Sequence, residues 1–100
     1  MRVIAVKTLA QYSAKHPETK ASLTRWIAIT KAAKWKTTDE VKASIATAVV
    51  LNAQRVRFEV HGGDHRLIVL IKFKPQNVYI CFLGTHDEYD KIDALTVWMF

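Results

Sequence analysis

A short run near the C-terminal end of the chain holds the residues best suited to proton transfer. It spans residues 84–90, reads Gly-Thr-His-Asp-Glu-Tyr-Asp, and follows a predicted strand, so its side chains emerge at that strand's end. His86 and Tyr89 are three residues apart, which places them on one side of a helical turn. A histidine titrates near neutral pH and can move protons in catalysis. The alternative is structural: Thr85 or His86 caps the helix, and Tyr89 anchors it to the sheet.

Cations mark one face of the strand predicted over residues 65–73. Alternate residues of a strand point to opposite sides, so Arg66 and Lys72 share a face with Ile68 and Leu70, and the other face is wholly apolar. Burying an unpaired charge is costly, so the face that carries Arg66 and Lys72 should be at least partly open to solvent. Such a face would suit the binding of phosphate groups. Equally, the two cations could simply flank the buried part of the strand.

A second group of basic residues surrounds Trp35. Its members are Lys31, Lys34, Lys36 and Lys42. Phosphate contact together with base stacking on the ring is one interpretation. For Trp35 we favour the other, in which the ring packs in the core and the lysines form a solvated helix end.

The overall charge agrees with a polyanionic partner. The 15 lysines and arginines outnumber the 9 acidic residues, which gives a net charge of +6. Such a domain attracts nucleic acids or anionic membranes, although a basic surface can also serve solubility alone. No apolar run is long enough to span a bilayer, and the lone Cys81 suits a reducing compartment. We therefore expect a cytoplasmic protein without a membrane partner.

Several kinds of site are not indicated by the sequence. One cysteine and scattered histidines lack the ligand spacing of a zinc site, and Gly62-Gly63 reads as a hairpin turn rather than a nucleotide loop. We therefore expect no metal and no cofactor. What remains is metal-free proton transfer on a phosphate backbone, or simple binding.

The spacing of apolar residues predicts the elements that position these side chains. A short strand over residues 2–5 precedes a helix that ends near His16-Pro17. A third element is an amphipathic helix with a stripe at i, i+3, i+4 and i+7, formed by Leu23, Trp26, Ile27 and Thr30. Thr37 and Glu40 have capping-box spacing and open another helix, whose buried side would be Val41, Ile45 and Val49.

The second half of the chain predicts an antiparallel meander. Residues 55–60 alternate between polar and apolar, residues 65–73 form a central strand, and residues 78–83 form the next. A short helix over residues 87–93 closes the chain. This order predicts an α+β fold, in one domain over residues 1–100.

Two segments resemble the HigB family of toxins. Residues 82–93 resemble the family's C-terminal signature, roughly G-T-H-x-E-Y-D, and residues 62–68 resemble its glycine turn leading into an arginine-bearing strand. Further matches occur in the expected order at His16-Pro17, Leu23, Trp26, Trp35 and Val41-Lys42. Two positions depart from the pattern: His65 stands where a tyrosine is expected, and Glu59 where an asparagine is common.

The resemblance implies a RelE-like fold, in which an N-terminal strand and two to three helices pack on an antiparallel sheet with a short C-terminal helix. It also implies a toxin of a type II toxin–antitoxin system that cleaves messenger RNA on the translating ribosome. The implied partner is a HigA-like helix-turn-helix antitoxin, through which alone the chain would reach operator DNA. The rival functions are a non-catalytic nucleic-acid-binding module and a RelE-like protein that has lost activity.

Cleavage that uses the 2′-hydroxyl of RNA needs a base, an acid and positive charge at the phosphate. We assign proton transfer to His86 and the transition-state phosphate to Arg66, and expect the two to share an open cationic pocket. Tyr89 would orient the phosphate or a base, and Lys72 would add charge. The residues expected to contact RNA or the ribosome are Lys31, Lys34, Lys36, Lys42, Arg55, Arg57 and His65.

Overall fold

Five strands form one sheet at the centre of the computed structural model, which describes all 100 residues. The strands are β1 (Arg2–Ile4), β2 (Val49–Val50), β3 (Arg55–Val60), β4 (His65–Lys72) and β5 (Asn77–Thr85). Their order across the sheet is β1-β5-β4-β3-β2, with β1 parallel to β5 and every other pair antiparallel. The central position predicted for residues 65–73 is confirmed, because β4 is the middle strand.

The helices are α1 (Val6–Lys15), α2 (Lys20–Ala32), α3 (Thr38–Ser44) and α4 (His86–Tyr89), with a 3₁₀ turn at Pro17–Thr19. The residue before Pro17 leaves the helical conformation, as proline requires of its predecessor, and α1 ends there. The side chain of Thr37 accepts a hydrogen bond from the backbone N–H of Glu40, which confirms the predicted start of α3. None of the helices has the length and apolar character needed to traverse a lipid bilayer. The predicted α+β fold is confirmed.

The main core lies between the sheet and the helices. Leu67, Val69 and Ile71 of β4 are fully buried there, as the alternation of that strand predicted. Trp35 is 3% exposed and its indole N–H donates to Ser44, so the preference for a core tryptophan is confirmed. Val49 was expected on the buried side of α3, and this was wrong: the helix ends at Ser44, and Val49 pairs with Arg57 as part of β2.

A β-bulge in β5 changes which side chains reach the core. Ile68 pairs with Phe82, but the next residue, Val69, pairs with Ile80, so Cys81 is the extra residue. Ile80 and Leu83 are therefore both in the main core, although strict alternation would send them to opposite faces. Cys81 and Phe82 instead join a smaller apolar cluster with Ile68. This cluster lies on the face of the sheet that points away from α1, α2 and α3, which we call the second face.

The C-terminal segment, residues 90–100, covers part of that second face. The predicted helix over residues 87–93 is wrong in length, because α4 stops at Tyr89 and the chain then continues through turns. The guanidinium of Arg55 donates to the carbonyls of Ala94 and Val97 at 3.1 and 2.9 Å, so those carbonyls are satisfied without a helix. The N–H of Met99 donates to the carbonyl of Cys81 at 2.8 Å. The segment is thus tied to β3 and β5.

Candidate active site

Two arginines and a glutamate meet on the second face of the sheet, in the part that the C-terminal segment does not cover. Glu59 of β3 pairs directly with Arg66 of β4, and Arg57 lies two residues before Glu59 on the same side of β3. Arg57 Nη2 is 3.1 Å from Glu59 Oε1, and Arg66 Nε is 3.5 Å from Glu59 Oε2. With Tyr89, described next, these residues form what we call the arginine cluster.

Tyr89 of α4 covers both guanidiniums. Its hydroxyl accepts a hydrogen bond from Arg57 Nη1 at 3.1 Å. The Cζ atoms of Arg57 and Arg66 lie 5.3 and 4.7 Å from the centre of its ring, within the range of cation–π attraction. Burial alone would lower the pKa of Arg57, but the contacts with Tyr89 and Glu59 outweigh burial and raise that pKa. Arg57 is therefore firmly charged.

The arginine cluster has hydrogen-bond donors to spare. The Nε atoms of Arg57 and Arg66 are both buried and have no hydrogen-bond partner, since the 3.5 Å contact of Arg66 with Glu59 is an ion pair of poor hydrogen-bond geometry. One carboxylate against two guanidiniums also leaves a net positive charge. The cluster is thus suited to a further oxyanion, and guanidinium forks match the oxygens of a phosphate.

Gly84 makes room for the support of Tyr89. A Cβ at Gly84 would lie 2.6 Å from the ring of Phe82 and 3.0 Å from Glu88 Oε1, so only glycine fits beneath them. The Phe82 ring packs edge-to-face against Tyr89, with the ring centres 6.2 Å apart. Gly84 therefore affects the arginine cluster indirectly, because it leaves room for the Phe82 ring that packs against Tyr89.

A capping box begins α4 and holds the same run in place. The Thr85 hydroxyl accepts from the backbone N–H of Glu88 at 3.2 Å, and Glu88 Oε1 accepts from the backbone N–H of Thr85 at 2.8 Å. Thr85, and not His86, is thus the cap. The hydrogen bond from the Thr85 backbone is the main reason that the pKa of Glu88 is lowered.

The Glu88→Gln variant should flatten the acid limb of the stability curve. The folded-state pKa of Glu88 is below its ordinary value of 4.5, so its stabilising effect is complete above pH 4.5 and is lost as the pH falls through the lowered pKa. Glutamine keeps an acceptor for Thr85 but does not titrate. Urea unfolding from pH 6 to about 2.5 would measure this. An unchanged pH slope would contradict the role of Glu88, and Asp87→Asn, an exposed acid of the same turn, is the control.

His86 is not part of the arginine cluster, and none of the cavities in the structure is lined by both His86 and Arg66, so the expected shared pocket is not present. His86 is two residues beyond Gly84, the β5 partner of Arg66, so the two side chains start from the same end of the sheet. No hydrogen bond or ion pair joins them: Arg66 contacts Glu59 and Tyr89, whereas His86 Nδ1 is 3.3 Å from Asp90 Oδ2. The imidazole is 48% exposed, so a bound substrate could reach it.

Lys72 is too far from Arg66 to share a site with it. The two residues lie at opposite ends of β4, about 20 Å apart at the rise of a strand. Lys72 is exposed there and pairs with Asn77. The prediction that Lys72 adds charge at the reacting phosphate is therefore wrong.

Two residues expected to contact RNA are buried and engaged elsewhere. Arg55 is 7% exposed and holds the C-terminal segment through Ala94 and Val97. His65 is 3% exposed and contacts Tyr12 and Glu18 on the helical side. Arg57, grouped with them from the sequence, belongs to the arginine cluster instead.

Three of the expected lysines line one open cavity of about 620 Å³. These are Lys31, Lys34 and Lys36, and Lys74 from the β4–β5 turn joins them. No acidic residue lines this cavity, which we call the lysine cavity. Lys42 is not part of it, because its amine donates to the carbonyls of Ala46 and Ala48.

Sequence reasoning missed the place of Glu59, Phe82 and Lys74. Glu59 carried a usable signal, because the tight turn at Gly62-Gly63 fixes the hairpin register that puts Glu59 opposite Arg66. Phe82 reaches the second face only because of the bulge at Cys81, and strand alternation does not reveal that bulge. Lys74 is brought to the other lysines by the tertiary fold alone.

Comparison with known families gives one match. Residues 19–92 match the sequence model of the HigB toxin family, described as the RelE-like toxic component of a toxin–antitoxin system. The matched region contains the whole arginine cluster and the run at residues 84–90. No curated protein sequence matches the chain.

Proposed function

Because the chain belongs to the HigB family of RelE-like toxins of toxin–antitoxin systems, we propose that it is an endoribonuclease that cleaves messenger RNA on the ribosome. The observation that carries the proposal is the pair of buried, unpartnered Nε donors of Arg57 and Arg66 beneath Tyr89. Once a phosphate takes the place of Glu59 between the guanidiniums, these donors would stabilise the charge that develops on it during cleavage.

The reaction would use the 2′-hydroxyl of the RNA as its nucleophile. The 2′-oxygen attacks the adjacent phosphorus, the bond to the 5′-oxygen breaks, and a 2′,3′-cyclic phosphate and a 5′-hydroxyl result. Arg57 and Arg66 would hold the phosphate in the crowded transition state. A phosphate between the guanidiniums would take over the contacts of Glu59, which leaves that carboxylate beside the phosphate as the acceptor of the 2′-hydroxyl proton.

His86 would donate the proton that the leaving 5′-oxygen needs. Its imidazole is 48% exposed at the start of α4, where the 5′-oxygen of a bound RNA could reach it, and Asp90 Oδ2 lies 3.3 Å from its Nδ1. Tyr89 would hold both guanidiniums in position through its hydroxyl and its ring. Glu59 and His86 would thus act on opposite ends of the reacting phosphate.

The lysine cavity would contact ribosomal RNA. It lies beside the end of α2 and the β4–β5 turn, whereas the arginine cluster lies near the β3–β4 turn, so the two cationic surfaces are separate. One surface could therefore hold the ribosome while the other receives the message.

Replacing Lys31, Lys34 and Lys36 together with alanine should weaken binding to ribosomes and make it less dependent on salt. Each lysine that neutralises a phosphate adds about one unit to the slope of log affinity against log salt, so the slope should fall by about 3. The matched control is Lys7, Lys15 and Lys20→Ala, which removes the same charge from exposed positions outside the cavity. Equal loss of binding in both variants would show a general effect of net charge.

The antitoxin that the family implies would block the arginine cluster. We propose a helix-turn-helix antitoxin of the HigA type that offers a carboxylate to the free donors and apolar surface to the C-terminal segment. Leu95, Trp98, Met99 and Phe100 are each about half exposed there, which is unusual for large apolar side chains. Contact with operator DNA would come through the antitoxin.

Mapping the 5′ ends of messages after induced expression tests the function. We expect new 5′-hydroxyl ends inside translated regions, and their loss when a start codon is removed from the same message. Growth arrest without new ends would leave a toxin that is not a ribonuclease. A non-catalytic nucleic-acid-binding module predicts neither growth arrest nor new ends.

A further inference from the structure

Three side chains with metal-ligating atoms meet on the helical side of the sheet, away from the arginine cluster. His65 begins β4 and points to the face opposite Arg66. His65 Nε2 is 3.0 Å from Glu18 Oε2, and His16 Nδ1 is 3.9 Å from the same oxygen. The three atoms lie within 4.8 Å of one another. The proposed function uses none of these residues.

We propose that His16, Glu18 and His65 bind a divalent transition-metal ion of the zinc class through these three atoms. Zinc takes nitrogen and oxygen ligands at about 2.0–2.1 Å in a tetrahedron, which places the ligand atoms about 3.4 Å apart. Two of the separations, 3.0 and 3.9 Å, lie on either side of that value, and the third, between the two ring nitrogens, is no more than 4.8 Å, so binding would move the ligand atoms by about 1.4 Å at most.

Tyr12 supplies the outer contact that a metal-bound histidine needs. A histidine that binds a metal through one ring nitrogen usually donates the N–H of the other to a fixed acceptor. His65 Nδ1 is 2.7 Å from the Tyr12 hydroxyl oxygen.

The position of His16 distinguishes a metal site from an ordinary buried histidine that is satisfied by hydrogen bonds. The hydrogen bonds with Tyr12 and Glu18 would satisfy His65 alone, but they give no reason for a second imidazole directed at the same carboxylate oxygen. The His16 ring is held there by stacking on Tyr12, with the ring centres 4.4 Å apart. His16 and Glu18 are 35% and 43% exposed, which leaves a solvent side for entry of the ion and for a water as fourth ligand.

The ion would join distant parts of the chain. His16 and Glu18 lie at the corner between α1 and α2, and His65 lies 47 residues after Glu18 at the start of β4. Closing a long loop in this way stabilises the folded state relative to the unfolded chain. The residue fixed by the ion is the direct neighbour of Arg66.

Zinc titration of the full-length chain without a histidine tag, against a chromophoric chelator, tests the proposal. We expect one Zn²⁺ per chain, and a visible Co²⁺ spectrum typical of a tetrahedral site. His16→Ala and Glu18→Gln should weaken zinc affinity by at least about 100-fold, and Tyr12→Phe by about 10- to 100-fold. Glu18→Gln preserves the acceptor for His65, and His16→Ala removes no hydrogen bond of His65, so both variants should fold.

The controls distinguish this site from other histidines. His61→Ala removes an exposed imidazole paired with Asp64 at 3.8 Å and should bind zinc like the unaltered chain. Zinc should raise the melting temperature of the unaltered chain and of His61→Ala but not of His16→Ala. Affinity unchanged in both His16→Ala and Glu18→Gln would overturn the proposal. Affinity lost only in His86→Ala would also overturn it, because the ion would then sit at His86, Asp87 and Asp90.

Discussion

Arg66→Ala should abolish growth inhibition and lower the rate of RNA cleavage by about 10²–10³-fold, the effect of removing one preorganised donor to a developing oxyanion. The arginine leaves a buried N–H free and lies over the Tyr89 ring, so its loss removes both charge and geometry from the phosphate site. Arg66→Lys keeps the charge but not the planar fork, and should recover only part of the rate. Single-turnover cleavage on programmed ribosomes measures the effect.

The control for Arg66→Ala must separate chemistry from folding and from net charge. Arg25→Ala removes an exposed arginine of α2 on the helical side and should cleave at the normal rate. An unchanged melting temperature and an unchanged far-UV circular dichroism spectrum would show that Arg66→Ala still folds. Full cleavage by a folded Arg66→Ala protein would remove the arginine cluster from the mechanism.

His86→Ala should lower the cleavage rate by about 10²–10⁴-fold, the usual contribution of one positioned acid or base. Single-turnover cleavage rates of the unaltered chain and of His86→Ala on one RNA substrate would measure the loss.

His61 provides a matched control for His86. Its imidazole is 47% exposed and lies 3.8 Å from Asp64, whereas His86 is 48% exposed and lies 3.3 Å from Asp90. The two histidines differ in position: His61 lines a cavity beside α2 that Glu59 also borders, whereas His86 begins α4, three residues before Tyr89. His61→Ala should retain the rate. Equal losses in the two variants, or none in His86→Ala, would contradict the role given to His86.

Local patterns predicted those parts of the fold that depend on neighbouring residues. The alternation of residues in β4 predicted the correct buried face, because successive side chains of a strand point to opposite faces of the sheet. The start of α3 followed from Thr37 and Glu40, since a capping box is made within one helical turn. The length of α4 did not follow, because the residues after Tyr89 are held by tertiary contacts, such as those of Arg55 with the carbonyls of Ala94 and Val97, that no local pattern reveals.

The site itself was only partly predictable, because it depends on register and distance. Arg66 and Tyr89 could be chosen from the sequence, and they do meet. Lys72 could not be excluded from the site by the sequence pattern. Alternation shows that it shares a face with Arg66, but it does not show that the two residues lie at opposite ends of the strand. His16 and His65 come together although they are 49 positions apart in the sequence, a separation that no metal-ligand spacing would suggest.

The capping box gives the run at residues 84–90 two separable tasks. Gly84, Thr85 and Glu88 shape the turn, whereas His86 projects from it into solvent. If His86 transfers the proton as proposed, a copy of this gene that lost only the imidazole would encode an inactive protein with an otherwise intact surface. Such a protein would act as a decoy: by occupying antitoxin, it would release its active sibling and increase toxicity in the same cell.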